Sequence, residues 1–251
     1  MESGEPPQPA EQGAAPAPTE SEPLLGRPGD AIQKPDEPMI KNLWLGTGWL
    51  AQLGAIILAV IIWVSVFTHP MLRLFSPHPL LQSLGIFTAI QAVLLLQPTH
   101  TPTTKLLGQR GHSALHVLSF MLFAAGTAII ETNKHVNRLP HFHSAHAYLG
   151  VSTVALLAVQ YLFGLTIWAV PGVWGGLDRA KALWKYHRYV GYGVLLLLLA
   201  TVASAVGTDY NRAVLGIRLW SVLLAEALIL AGVLPRVQLR KLGIQPRQRG
   251  G

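Results

Sequence analysis

Six stretches of the chain, residues 43–67, 79–96, 113–130, 147–170, 189–206 and 214–234, are almost wholly apolar. Each is near the roughly 20 residues that a helix needs, at about 1.5 Å per residue, to cross an apolar layer of about 30 Å. Lipid offers no partner to a free N–H or C=O, so such segments fold as helices that satisfy their backbone internally. Composition agrees: 51% of the residues are hydrophobic and 12% charged, whereas a soluble domain carries about 25% charged residues. Connectors such as Pro98-Thr99-His100-Thr101-Pro102 and Pro171-Gly172-Val173-Trp174-Gly175-Gly176 separate the spans. Trp44, Trp49, Trp168, Trp174 and Trp184 lie near span ends, where interfacial anchors sit. The expected fold is an all-α membrane protein of six transmembrane helices. Residues 1–42 read as a disordered tail rich in Pro, Glu, Gly and Ala, 43–235 as the membrane domain, and 236–251 as a basic tail. Within the first tail, Glu20-Ser21-Glu22-Pro23-Leu24-Leu25 has the form of an acidic dileucine sorting signal, which a chance match explains equally well.

Lysine and arginine set the expected orientation. With both termini in the cytosol, fourteen of the nineteen fall on the inner side, which the positive-inside rule favours. The net charge of +7 is therefore distributed as membrane topology requires and does not imply nucleic acid.

Four successive spans open with histidine: His78 the second, His112 and His116 the third, His146 the fourth, His187 the fifth. An ionisable side chain at the edge of a membrane span is costly unless something pairs or ligates it. The second and fourth spans start on the outer face and the third and fifth on the inner face. His78 and His146 thus share one depth, and His112 and His187 another. With no cysteine, thiolate sites, iron–sulfur clusters and thioether-linked haem are excluded. Two opposed imidazoles can fill both axial positions of a haem iron, leaving a centre suited to electron transfer rather than oxygen chemistry. Two such centres would stand about 20 Å apart along the normal. Zinc or copper is a weaker fit, because each pair offers two nitrogens and no acidic residue completes a tetrahedral site. The four central helices are accordingly expected to form a di-haem bundle.

His112 and His116, four residues apart, share a helix face, and either can be the third-span ligand; His112 matches the depth of His187 better. His141 and His143 belong to the outer surface, and His69, His100 and His135 to loops. Gly85, Gly126, Gly150, Gly164, Gly191 and Gly193 can admit a macrocycle or simply close helix packing. Glu226, in the last span, is expected to face the bundle interior or a partner.

Over residues 43–235 the chain resembles the eukaryotic cytochrome b561 family, in particular its shorter "domain-containing" branch. The resemblance rests on Leu74-Phe75-Ser76-Pro77-His78-Pro79, Arg110-Gly111-His112, His141-Phe142-His143-Ser144-Ala145-His146 with Gly150, and Lys185-Tyr186-His187-Arg188 with Gly191-Tyr192. It implies two b-type haems, one held by His78 with His146 and one by His112 with His187. It implies a cytosolic reductant such as ascorbate, and an acceptor across the membrane, monodehydroascorbate or a ferric chelate. Lys105, Arg110, Lys185 and Arg188 fall where the family would bind an anionic donor, which electrostatics supports. His141 matches a histidine near the acceptor, where Lys134 or Arg138 would attract an anion. The resemblance also implies an endomembrane or vacuolar setting and the homodimeric pairing frequent in the family. The extra His116, Ala145 and the long acidic N-terminal tail depart from the family pattern.

The reading is a transmembrane oxidoreductase passing single electrons from the inner to the outer haem. The rival is a haem-bearing membrane anchor that delivers electrons to a protein partner. A haemless scaffold or transporter leaves the matched histidines unexplained.

Overall fold

The computed structural model describes residues 31–34 and 37–243; most of the expected N-terminal tail, its dileucine motif included, and residues 244–251 lie outside them. Among the described residues, six helices are long and apolar enough to cross a membrane. They are α1 (Gly48–Phe67), α2 (Pro77–Leu96), α3 (Pro102–Val136), α4 (Ala145–Ala169), α5 (Leu177–Ala205) and α6 (Leu219–Val233), the last continued by a 3-10 turn so that its span reaches Arg236. No strand occurs among the described residues.

Local chemistry starts and stops these rods. Thr101 caps α3 by accepting from the Thr104 amide, with Pro102 in the first turn, where its missing N–H costs nothing. Ser144 caps α4 through the Ala147 amide. Asn211 knots the α5–α6 connector: its amide donates to the Val206 and Ile217 carbonyls and its oxygen accepts from the Ile217 amide.

Two helices run longer than their apolar spans. α3 begins eleven residues before the expected 113, and α5 twelve before 189. The added turns carry Lys105, Arg110, Lys181 and Lys185, polar residues with good helix propensity, so the rods continue past the apolar layer. His112 and His187 therefore sit well inside helices rather than at their first turns.

α2 packs along α3, α4 along α5, and α1 against both α2 and α6. The α1–α6 approach is close: a Cβ built on Gly232 would lie 2.6 Å from that of Ala51, and one on Gly54 would strike the Ala225 carbonyl. Small residues at such crossings let backbones meet, the packing that replaces the hydrophobic effect in lipid. Contacts are far sparser between the α2–α3 pair and the α4–α5 pair, and the histidines line that divide. Glu226 is buried, as expected of a carboxyl in the last span.

At one end of the bundle, residues 31–34, 37–45 and 234–243 pack against the helices. Arg236, 2% exposed, donates to the Asn42 and Leu94 carbonyls, and Asn42 donates to Gln33 and the Leu95 carbonyl.

Candidate functional site

α2 and α4 bring His78 opposite His146, with ring centres 6.2 Å apart. α3 and α5 bring His112 opposite His187, with centres 6.5 Å apart. In both pairs the rings are nearly perpendicular, at 77° and 78°. Along α3, His112 and Gly126, the residue that His78 touches, are about 21 Å apart at 1.5 Å per residue. The two pairs thus stand toward opposite ends of the bundle.

Hydrogen bonds decide which ring nitrogen is free. The Nδ1–H of His78 donates to the Gly126 carbonyl, that of His112 to the Ala92 carbonyl and that of His146 to the Thr201 carbonyl, each at 2.9 Å. A carbonyl only accepts, so each contact places the proton on Nδ1 and leaves the Nε2 lone pair bare. This is the arrangement of a metal-ligating imidazole, whose remote N–H is held by a main-chain or carboxylate oxygen. His187 differs. Its Nδ1 lies 3.1 Å from Nε2 of Gln160, which also donates to the His187 carbonyl at 2.7 Å.

The separations fit a shared iron. Two imidazoles bound through metal–nitrogen bonds of about 2 Å, with ring centres roughly 1.1 Å behind each nitrogen, have centres roughly 6 Å apart. Among the described residues, no group of three or more His, Asp or Glu could hold a bare metal ion. The donor set therefore suits a metal whose remaining ligands come with it, as in a porphyrin.

His116 lies one turn deeper than His112, with ring centres 4.3 Å apart. Its Nδ1 is 3.3 Å from the Tyr161 hydroxyl, which donates onward to Ser119. It is engaged in a side-chain network rather than pinned by a carbonyl. Ile86, Ile90, Phe123, Leu157 and Leu198 belong to the buried apolar core of the bundle.

The residues proposed from sequence for the donor are partly gathered. Arg188 donates to the Lys241 carbonyl at 2.7 Å. Lys241 in turn caps the end of α2, donating to the Gln97 and Thr99 carbonyls at 2.9 and 2.6 Å. Burial holds the Lys241 ammonium down at about 7, and the nearby charges of Arg188 and Lys105 push the same way. Lys185 lies over the Tyr186 ring and near Gly243, and Arg110 is exposed on α3. At the opposite end His141 is exposed, its Nδ1 3.1 Å from Oε2 of Glu131. Sequence reasoning missed Lys241 and Gln160, whereas Gly164 was already among the glycines able to admit a macrocycle. Gln160 and Gly164 interrupt an apolar run, which is a signal; Lys241 is indistinguishable from other tail cations until the fold returns it to α2.

Comparison with known proteins identifies the family. The family model of eukaryotic cytochrome b561 matches residues 77–214, more than half of the chain and every one of the paired histidines. The chain belongs to the eukaryotic cytochrome b561 family. Cytochromes are haem proteins, so haem binding in general comes with that membership. Among similar cytochromes b561 is a lysosomal membrane ascorbate-dependent ferrireductase of Bos taurus, 31% identical over 136 residues, 53% of this chain and 50% of that protein. Its namesake in Homo sapiens is 27% identical, covering 62% of this chain and 67% of the relative. Transmembrane ascorbate ferrireductase 1 of Arabidopsis thaliana is 24% identical, covering 52% and 53%. The chain thus spans between half and two thirds of the length of these cytochrome b561 relatives.

Proposed function

We propose that this cytochrome b561 carries two b-type haems, one gripped by His78 and His146 and the other by His112 and His187. With both termini in the cytosol, it moves single electrons across the membrane from ascorbate to monodehydroascorbate or a ferric chelate. The observation that carries the reading is the pair of opposed imidazoles at each end, three of the four with Nε2 freed by a carbonyl on Nδ1. His112 is the third-span ligand in this reading, because it is both carbonyl-pinned and opposite His187, whereas His116 is turned to Tyr161.

Held by these imidazoles, haem would supply one-electron chemistry. The chain supplies the rest. The carbonyls of Gly126, Ala92 and Thr201 fix ring orientation and raise ligand basicity. The apolar filling around Phe123 and Leu157 keeps water from the divide. At the cytosolic mouth Lys105, Arg110, Lys185 and Arg188, joined by Lys241, present cations to an anionic donor. At the outer mouth exposed His141 meets the acceptor, with Lys134 and Arg138 on the same face. The similar proteins named for ascorbate and for ferric reduction support donor and acceptor classes alike.

The test is a reduced-minus-oxidised spectrum of the purified protein with haem quantified per chain, followed by ascorbate titration. Two haems per chain and fast, saturable reduction by ascorbate are expected. One haem or none would overturn the ligand assignment, and reduction only with an added protein would favour the membrane-anchor alternative.

A further inference from the structure

Three of the four paired histidines rest on the main chain, and the fourth rests on a side chain. Gln160 is buried, 6% exposed, on the face of α4 that meets α5. Its amide nitrogen sits 3.1 Å from Nδ1 of His187 and 2.7 Å from the His187 carbonyl. The surroundings are cut to fit. A Cβ on Gly164, one turn along α4, would lie 2.7 Å from Cε1 of His187, and a Cβ on Gly191 of α5 would lie 3.1 Å from the Gln160 amide nitrogen. A side chain at Gly164 would force the imidazole to shift, and one at Gly191 would make the carboxamide give by a few tenths of an ångström.

The carboxamide is ambivalent where a carbonyl is not. With its nitrogen toward His187 it donates to Nδ1, which must then be bare, so the neutral ring carries its proton on Nε2, the nitrogen needed for iron. With its oxygen toward His187 it accepts from Nδ1–H and frees Nε2, but that oxygen then faces the His187 carbonyl. Main-chain carbonyls impose a single tautomer on His78, His112 and His146; at His187 the tautomer is set by which way one amide is turned.

From this geometry we infer that Gln160 is the positioning residue of the inner centre, fixing the tautomer and basicity of His187 and thereby the reduction potential of the iron that His187 binds. This inference rests on the two-haem reading above. A ligating imidazole whose remote N–H finds a better acceptor becomes more basic and favours ferric iron; one deprived of its acceptor does the reverse.

The experiment is a potentiometric titration of the purified holoprotein, wild type beside Gln160→Glu and Gln160→Leu, with haem counted in each. Glu keeps the side-chain length and offers an acceptor to Nδ1–H while giving up the hydrogen bond to the His187 carbonyl, so the inner midpoint is expected to fall. Leu removes the partner, so the inner midpoint is expected to rise and inner haem content to drop. The outer midpoint stays fixed in both. Opposite shifts at one centre are not what a merely structural residue produces, and the Glu variant reports even if the Leu variant does not fold. Two haems in wild type with unmoved potentials in both variants would overturn the role of Gln160 while leaving the two-haem reading intact. Fewer than two haems in wild type would overturn both.

Discussion

The outer and inner histidine pairs look alike in ring separation and tilt, yet they are built differently. His78 and His146 hang on the carbonyls of Gly126 and Thr201, which no side-chain substitution can delete. The inner pair has one main-chain anchor, at His112, and one side-chain anchor, at His187. It also has a third imidazole, His116, against His112. A site fixed by backbone is set once the helices pack. A site fixed by an amide can be adjusted by substitution without moving a helix. If each pair holds a haem as proposed, the bundle would contain one centre set by main chain and one open to adjustment by substitution.

The largest expected effect separates the two centres outright. His146→Ala should remove the outer haem and leave most of the inner one, while His187→Ala should do the converse; haem per chain falls by about half in each, since an axial ligand is lost. His116→Phe is the matched control and should keep both haems. Haem extracted per purified chain checks all three. A loss of haem in the His116 variant equal to that from His112→Ala would transfer the ligand role to His116.

Much of this was legible in the chain. Six spans follow from the cost of an unpaired backbone group in lipid. The depths of His78, His112, His146 and His187 follow from the alternating direction of those spans. The polar N-terminal extensions of α3 and α5 were not legible, because Lys105, Arg110 and Lys185 mark the edge of the apolar stretch and not the end of a helix that they stabilise. Gln160 was visible as one amide in an apolar run, but its partner depends on how α4 is rotated against α5. The role of Lys241 depends on residues 234–243 folding back over the end of α2, a contact across 144 positions to Gln97.

A second contrast lies along α4, where Gly150 and Gly164 sit beside the outer and inner centres. A Cβ at Gly150 would meet only Thr201 Cγ2, at 3.9 Å, in ordinary contact. A Cβ at Gly164 would press on the His187 ring at 2.7 Å, and overpacking of this kind typically costs about 1–3 kcal/mol. Gly164→Ala should therefore broaden or partly bleach the inner haem spectrum and leave the outer one sharp, while Gly150→Ala should leave both unchanged. Low-temperature difference spectra, which resolve two b-type haems, are the measurement. Equal sensitivity at the two glycines would mean that the inner centre is no more finely fitted than the outer.

The smallest expected effect concerns the mouths rather than the centres. At the mouth beside His78 and His146, Nδ1 of His141 lies 3.1 Å from Oε2 of Glu131. The inner mouth crowds Lys105, Arg188 and Lys241 together, and burial with these neighbours brings the Lys241 ammonium down to about 7. Its pKa is depressed, so the cation is present below pH 7 and disappears as pH rises through that value. Ascorbate is an anion on both sides of this change, so its KM should rise between about pH 6 and pH 8. Loss of one charge-assisted contact, about 1.4 kcal/mol, corresponds to roughly tenfold. Lys241→Gln, which removes the cation at every pH, should show the high KM throughout and a flat profile, with haem content and both midpoint potentials as in wild type. Stopped-flow reduction at varied ascorbate and pH reads this directly. A wild-type KM that does not change across pH 7 would place the donor elsewhere on the cytosolic face and leave Lys241 as the cation that closes the end of α2.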